Sequence, residues 1–144
     1  MAEPIDLEAL LARLPHTGTM RLIDRLTVVD PGVSATAVRR TRAGDWFFDG
    51  HFPGRPVVPA VVLIELIAQT GGLAAASAPG TPIGGMRLAA VSGCKFPAAA
   101  GADVDLVAHA EVRGRMGALV RVDGTVHADG VLVASGAITL AAAD

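Results

Sequence analysis

Apolar and polar positions alternate along this chain in two rhythms, one typical of helices and one typical of strands. A short helix over Asp6–Leu14, ended by Pro15, is predicted by leucines that share one helical face, Leu7, Leu10, Leu11 and Leu14. A strand is predicted over Met20–Asp30, because turn residues follow it. Alternating small apolar and polar side chains over Val33–Thr41 predict a second, half-buried strand.

One long helix is predicted over Pro59–Ala76. Proline suits the first helical turn, where its missing N–H has no intrahelical partner. The segment is apolar on nearly every side, so other elements must cover it. Gly71 and Gly72 weaken the helix but allow another backbone to come close, and the Gly- and Pro-rich segment 78–82 ends it.

The second half of the chain returns to the strand rhythm. An Asp129-Gly130 pair is a strong hairpin signal, and a second turn is predicted at Arg115–Gly117. Two strands, one buried helix and four strands predict an α+β fold in which an antiparallel sheet of about six strands curls around the helix. The 144 residues suit a single domain, 1–144. The four later strands are predicted over Met86–Gly93, Val104–Arg113, Ala118–Ala128 and Val131–Leu140.

Composition excludes several classes of protein. The chain is 51% hydrophobic with a mean hydropathy of +0.49, which indicates a globular protein, and a net charge of −2 offers no nucleic-acid footprint. The longest apolar run, Val57–Ala68, is too short to cross a membrane. Met1–Leu14 lacks the pattern of a signal peptide, and Cys94 is the only cysteine, so a reduced thiol in the cytoplasm is expected.

His51 and Glu65 are the candidates for chemistry. His51 lies in the turn-rich segment Gly50–Pro56, and Glu65 is the only charge between Arg55 and Arg87, within the apolar helix. An ionised carboxylate there is costly unless it is paired or neutralised. Together with an imidazole, which titrates near neutrality, it points to proton transfer. The alternatives are a turn histidine bonded to backbone and a glutamate paired with a nearby arginine.

The segment Gly50–Pro59, followed by Glu65 fourteen residues after His51 and then by Ala68-Gln69, resembles a known family. That family is the β-hydroxyacyl-acyl-carrier-protein dehydratases (FabZ-like, hot-dog fold). Further matches are Leu14-Pro15-His16, Met20–Arg25, Lys95-Phe96 and Gly101–Asp103. The likeness therefore spans most of the chain and implies a hot-dog fold.

The chain also departs from this family. Ala60 stands where Gly is usual, Thr17–Thr19 replace Arg-Tyr-Pro and so remove a tunnel tyrosine, and Pro97–Ala100 replace a basic stretch. These changes resemble offshoots that act in specialised pathways such as aryl-polyene and polyketide synthesis.

The resemblance implies that a 3-hydroxyacyl thioester on an acyl carrier protein loses water to give the trans-2-enoyl thioester, with no cofactor or metal. His51 would remove the α-proton as a base. Glu65 would protonate the departing hydroxyl, since apolar surroundings favour the protonated carboxyl. The backbone N–H groups of Ala60 and Val61, at the positive end of the helix, would hold the enolate oxygen.

Further roles follow from position and from the resemblance. Gln69 lies one turn after Glu65 and can orient its carboxyl group. Glu65 lies about 7.5 Å along the axis from the helix start, whereas His51 precedes the helix. The resemblance implies that the two meet across a two-fold homodimer; a heterodimer or a hexamer of hot-dog subunits stays open. The residues expected to bind the substrate along the tunnel are Phe52, Pro53, Val61, Val62 and Gln69.

Two other functions remain open: a non-catalytic hot-dog subunit that pairs with a catalytic one, which Ala60 favours, and a hot-dog acyl thioesterase. His16 is expected to brace the first turn, and His109 and His127 to face outward. Trp46–Phe48 is expected in the core or a dimer contact. The segment Arg39–Arg42 is either a solvated strand end or, with Lys95, Arg113 and Arg115, a docking site for an acidic carrier protein.

Overall fold

The structure, a computed structural model, describes residues 4–81 and 86–142. Residues 1–3, which belong to the segment Met1–Leu14 considered for a signal peptide, lie outside that range. So does Pro82, the last residue of the segment predicted to end the long helix. One-turn 3₁₀ helices occupy Gly18–Met20 and Trp46–Phe48. The helices and strands are α1 (Leu7–Ala12), β1 (Arg25–Asp30), β2 (Ser34–Arg40), α2 (Ala60–Ala76), β3 (Arg87–Lys95), β4 (Asp105–Met116), β5 (Leu119–Ala128) and β6 (Val131–Ala141).

The six strands form one antiparallel sheet in the order β1-β2-β4-β5-β6-β3. Helix α2 packs against β2, β4, β5 and β6. Its central residues Leu66 and Ile67 are 0% and 1% exposed, and burying each contributes roughly 1.5–3 kcal/mol. The predicted α+β architecture, a sheet of six strands around one long helix, is confirmed and is the hot-dog fold.

Two glycines let the helix lie close to the sheet. A Cβ added at Gly124 on β5 would collide with Ile67, and one added at Gly71 would lie 2.8 Å from Val122. Gly72 has open space around it. The predicted close approach is therefore made at Gly71 and not at Gly72.

The prediction of a strand over Met20–Asp30 is wrong in its first part, since β1 begins at Arg25. Leu22 donates its backbone N–H to the side chain of Gln69 at 3.0 Å rather than to another strand. Leu22 and Ile23 are buried in the core. Their apolar character thus reflects packing of a loop against helix α2.

Strands β3 and β4 end later than predicted. β3 continues to Lys95 and β4 to Met116, each past a register shift in its pairing. The turn predicted at Arg115–Gly117 therefore forms at Gly117, which has φ +57. Asp129 and Gly130 both have positive φ, 49 and 81, as the tightest hairpin turns require, and this predicted hairpin is confirmed.

Candidate active site

The loop that carries His51 is held by backbone hydrogen bonds. The N–H of His51 donates to Phe48 O at 3.0 Å, and the N–H of Val57 donates to His51 O at 2.9 Å. Phe52 and Arg55 exchange two further backbone bonds of 3.2 and 3.0 Å. Gly50 and Gly54 both have φ +74, which a residue with a side chain rarely adopts. The glycines of the motif therefore shape the turn that presents the imidazole.

The His51 ring has a defined orientation and tautomer. Its Nδ1 lies 2.9 Å from the carbonyl oxygen of Val57. A carbonyl can only accept, so Nδ1 carries the proton, and Nε2 of the neutral ring keeps its lone pair. The Phe52 ring stacks on the imidazole at 4.2 Å. Nε2 of His51 is thus the nitrogen available to accept a proton.

The start of helix α2 opens into the same cavity as His51. The N–H groups of Val62 and Leu63 both bond to Pro59 O, at 2.9 and 3.3 Å. Helix geometry therefore leaves the N–H groups of Ala60 and Val61 without intrahelical acceptors. The cavity has a volume of about 380 Å³ and is lined by His51, Val57, Val58, Ala60, Leu63, Phe96, Ala98 and Ala99.

Ala60 sits in ordinary helical backbone. Among the described residues, the non-glycine positions with positive φ are Asp103 and Asp129 only. The methyl group that replaces the family's usual glycine therefore neither strains the chain nor turns the N–H of Ala60 away. Ala60 is exposed at the helix tip.

Glu65 lies in a different cavity. That cavity has a volume of about 260 Å³ and is lined by Met20, Leu22, Trp46, Val61, Val62 and Glu65. The side chain of Glu65 is 24% exposed, so its carboxyl group borders an apolar space without being sealed from solvent.

Gln69 connects Glu65 to the loop before β1. Its Nε2 donates to Glu65 Oε1 at 3.2 Å and to Met20 O at 2.6 Å, while its Oε1 accepts from Leu22 N at 3.0 Å. Gln69 is only 2% exposed. The predicted contact with Glu65 is present, and the same amide anchors one wall of the Glu65 cavity. Gln69 itself is too deeply buried to form much of that wall.

His16 is the residue that the sequence analysis did not place at the site. Instead of only bracing the first turn, it brings its Nε2 within 3.3 Å of Glu65 Oε1. The sequence offered one signal, since Leu14-Pro15-His16 is part of the segment that resembles the family. No regular spacing along the chain, however, predicts that His16 lies close to Glu65 in helix α2.

The structure divides the predicted residues between two cavities. His51 and Ala60 line one, and Glu65, Val61 and Val62 line the other. Phe52 and Pro53 are exposed on the loop and line neither cavity. A single chain therefore presents the imidazole and the carboxyl group separately.

Most of the cations proposed for carrier docking have nearby partners. Arg39 pairs with Asp45 at 2.7 Å and is largely buried over the Phe47 ring, so the expectation of a solvated strand end is wrong for it. The others are Arg40 with Asp105, Arg42 with Asp24, Arg113 with Glu111 and Asp123, and Arg115 with the carbonyl of Ala75.

The remaining predicted side chains are structural or exposed. Phe47 and Phe48 lie in the core, whereas Trp46 is 46% exposed beside the Glu65 cavity. Cys94 is half-buried on β3. Across residues 4–81 and 86–142, no three His, Cys, Asp or Glu side chains gather as a metal site. Within the same ranges, no helix is both long enough and apolar enough to span a bilayer.

Comparison with known proteins identifies the family. The model of the FabA-like domain matches residues 14–137, and the chain belongs to this family. A relative from Anaeromyxobacter sp. (strain Fw109-5), named 3-hydroxyacyl-[acyl-carrier-protein] dehydratase FabZ, is 37% identical over 92% of this chain and 87% of that protein. The family membership predicted from Gly50–Gln69 is thereby confirmed.

Two solved structures share the fold at low sequence identity. Cj0977, a sigma28-regulated virulence protein from Campylobacter jejuni, has a TM-score of 0.69 at 15% identity, covering 99% of this chain and 94% of that one. The dehydratase heterocomplex ApeI:P from Xenorhabdus doucetiae gives 0.59 at 20% identity, covering 76% and 88%. At these identities the likeness speaks for the fold alone.

Proposed function

We propose that this protein dehydrates a 3-hydroxyacyl thioester carried by an acyl carrier protein to the trans-2-enoyl thioester. The observation that carries the proposal is the shared cavity of His51 and the helix start: His51, whose Nδ1 is bonded to Val57 O, and Ala60 line the same space. The dehydratase relative at 37% identity supplies the substrate class. The single thiol, Cys94, suits a reducing compartment, and we place the activity in the cytoplasm.

The reaction needs a base, an oxyanion site and an acid. His51 Nε2 takes the proton from the carbon next to the thioester, and the charge moves onto the thioester oxygen. The N–H groups of Ala60 and Val61 donate to that oxygen at the positive end of helix α2. The electrons then return to form the carbon–carbon double bond. The C–O bond breaks, and Glu65 gives the departing hydroxyl its proton, releasing water.

His51 and Glu65 act together in this scheme, so two copies of the chain must combine their cavities. β3 is an edge strand of the sheet, and its exposed side chains include Leu88 and Val91, at 37% and 46%. Val61 beside Glu65 is 71% exposed, and Phe96 beside His51 is 40% exposed. An unpaired edge with apolar neighbours is a template for pairing with another chain. We infer a two-fold homodimer that joins His51 of one copy to Glu65 of the other.

The pairing with a different catalytic subunit has weaker support. It rested on Ala60, and Ala60 keeps a normal helical backbone and is exposed at the cavity. The ApeI:P structure is named as a heterocomplex, so the assay below includes addition of other hot-dog subunits. A thioesterase would instead release free thiol from the same substrates.

The test is an assay of the purified protein on a panel of 3-hydroxyacyl carrier substrates, read by mass spectrometry. We expect loss of one water without release of thiol. His51→Ala should slow this reaction by roughly 100- to 10,000-fold, while the loss of its bond to Val57 lowers the free energy of unfolding by only about 1 kcal/mol. Free thiol as the product, or a near-normal rate for His51→Ala, would refute the assignment.

A mixing experiment tests the shared site. We expect His51→Ala and Glu65→Gln to be nearly inactive alone, but in a mixed two-fold dimer one of the two sites keeps both native residues. After subunit exchange at equal amounts, about a quarter of the wild-type activity should return, because half of the dimers are mixed and each has one intact site. If the residues met within one chain, the mixture would stay inactive. Each variant mixed with itself is the control.

A further inference from the structure

Two side-chain nitrogens lie beside one oxygen of Glu65, one as a hydrogen-bond donor and one at ion-pair distance. His16 Nε2 lies 3.3 Å from Oε1, and Gln69 Nε2 lies 3.2 Å from the same atom. Oε2 receives neither donor. The two oxygens of the carboxyl group are therefore unequal before any substrate arrives.

The tautomer of His16 follows from its other nitrogen. Among the described residues, Nδ1 of His16 is buried without a hydrogen-bond partner. A proton on Nδ1 would place an N–H there with no acceptor, which is more costly than an unused lone pair. In the neutral ring of His16 the proton therefore lies on Nε2, the nitrogen that is 3.3 Å from Glu65 Oε1.

The segment that carries His16 is fixed to the rest of the fold. Leu14 is 6% exposed, and its N–H donates to Leu11 O at 3.0 Å. Arg21 reaches back to the same carbonyl oxygen at 2.7 Å. Further along, Met20 and Leu22 are tied to Gln69. The loop that carries His16 is thus fixed before and after this residue, and its imidazole is held beside Glu65.

We propose that His16 is a positioning residue for Glu65. By holding Oε1 as a hydrogen-bond acceptor together with Gln69, it directs the acidic proton to Oε2 and fixes the plane of the carboxyl group. This inference rests on the proposed function, in which Glu65 donates that proton to the leaving hydroxyl. Without His16 the carboxyl group can rotate, and only a fraction of molecules present the proton to the substrate.

Three substitutions separate positioning from packing. In His16→Gln, the amide Nε2 lies as many bonds from Cα as the Nε2 of histidine, so a donor remains near Glu65. In His16→Asn the donor reaches only the place of Nδ1, and His16→Leu has none. We expect kcat to fall roughly tenfold in the Asn and Leu variants with KM unchanged, and to recover in the Gln variant. His109→Leu, which breaks another His–Glu pair, is the control and should keep its kcat.

Equal losses of kcat in the Gln and Leu variants, or full activity in the Leu variant, overturn the inference. A second readout is independent of turnover, namely the ¹⁵N resonances of the His16 ring in the free protein. They should report a proton on Nε2 and should shift in Glu65→Ala; a proton on Nδ1, or no shift, also overturns it. If the wild type dehydrates no substrate, the proposed function fails, and these resonances alone decide whether His16 holds Glu65.

Discussion

Residues 4–81 and 86–142 include two His–Glu pairs of the same length in very different surroundings. His16 and Glu65 lie 3.3 Å apart, and so do His109 and Glu111 on β4. The first pair is about a quarter exposed and borders an apolar cavity; the second is 42% and 41% exposed. The comparison teaches that the contact itself does not mark a functional site. What distinguishes the two is the set of groups around them.

Around the outer pair, charges of both signs compete. Arg113 lies 3.1 Å from Glu111 and 2.9 Å from Asp123. The hydroxyl group of Thr36 is hydrogen-bonded to Nδ1 of His109 at 2.9 Å. In such an exposed network, water and neighbouring ions share the charge, and each pair contributes little. Glu65 has no arginine beside it among the described residues, and the side-chain nitrogens of Gln69 and His16 both lie beside its Oε1. Its other oxygen, Oε2, is contacted by neither of these two side chains.

The sharpest way to break the comparison is to make the same substitution in both pairs. Glu65→Gln removes the proposed acid and should lower the dehydration rate by roughly 100- to 10,000-fold, whereas Glu111→Gln should leave it unchanged. Initial rates on a 3-hydroxyacyl carrier substrate measure both. Similar rates for the two variants would reduce Glu65 to a structural role.

A second substitution probes the support beneath the inner pair. Gln69→Leu leaves the N–H of Leu22 and the carbonyl of Met20 unsatisfied in a buried place, and should lower the free energy of unfolding by about 2–4 kcal/mol. Thr36→Val, which removes the partner of His109, should cost less than about 1 kcal/mol because solvent reaches that face. Urea denaturation of both variants gives the values. A larger loss for Thr36→Val than for Gln69→Leu contradicts the assignment of the inner network as the rigid one.

The smallest effect is expected at the outer network itself. Arg113→Ala should change the free energy of unfolding by less than about 1 kcal/mol, and the difference should shrink as salt is added. Denaturation at low and high ionic strength provides the measurement. A loss of several kcal/mol that persists at high salt would show that the outer cluster is not a solvated charge network.

The sequence predicted the elements whose residues interact with near neighbours. Helix α2 and the Asp129-Gly130 hairpin depend on local periodicity and on turn chemistry, and both were recovered. The stretch 20–22 does not continue the strand, because Met20 O and Leu22 N bond to the side chain of Gln69, far away in the chain. The ends of β3 and β4 were missed because cross-strand register shifts leave no local signal.

The candidate site, too, has features that local sequence predicts and features that only the fold brings together. His51, Ala60 and Glu65 are candidates from a motif with fixed spacing, and their roles stay a prediction. The contact of Gln69 with Glu65 follows from one helical turn and is present. The contact of His16 with Glu65 joins two segments that only the fold brings together. The surroundings of the Arg39–Arg42 segment likewise depend on the fold. Asp45 pairs with Arg39 and Asp24 with Arg42.

Trp46 has a practical consequence. It is the chain's single tryptophan, the chain has no tyrosine, and its indole is anchored to Thr19 O at 3.0 Å while one side borders the Glu65 cavity. The intrinsic fluorescence of the protein therefore comes from one fluorophore at one known location. An acyl chain that enters the Glu65 cavity would displace water from the indole. The emission wavelength of Trp46 would then report, without any added label, whether the cavity is filled.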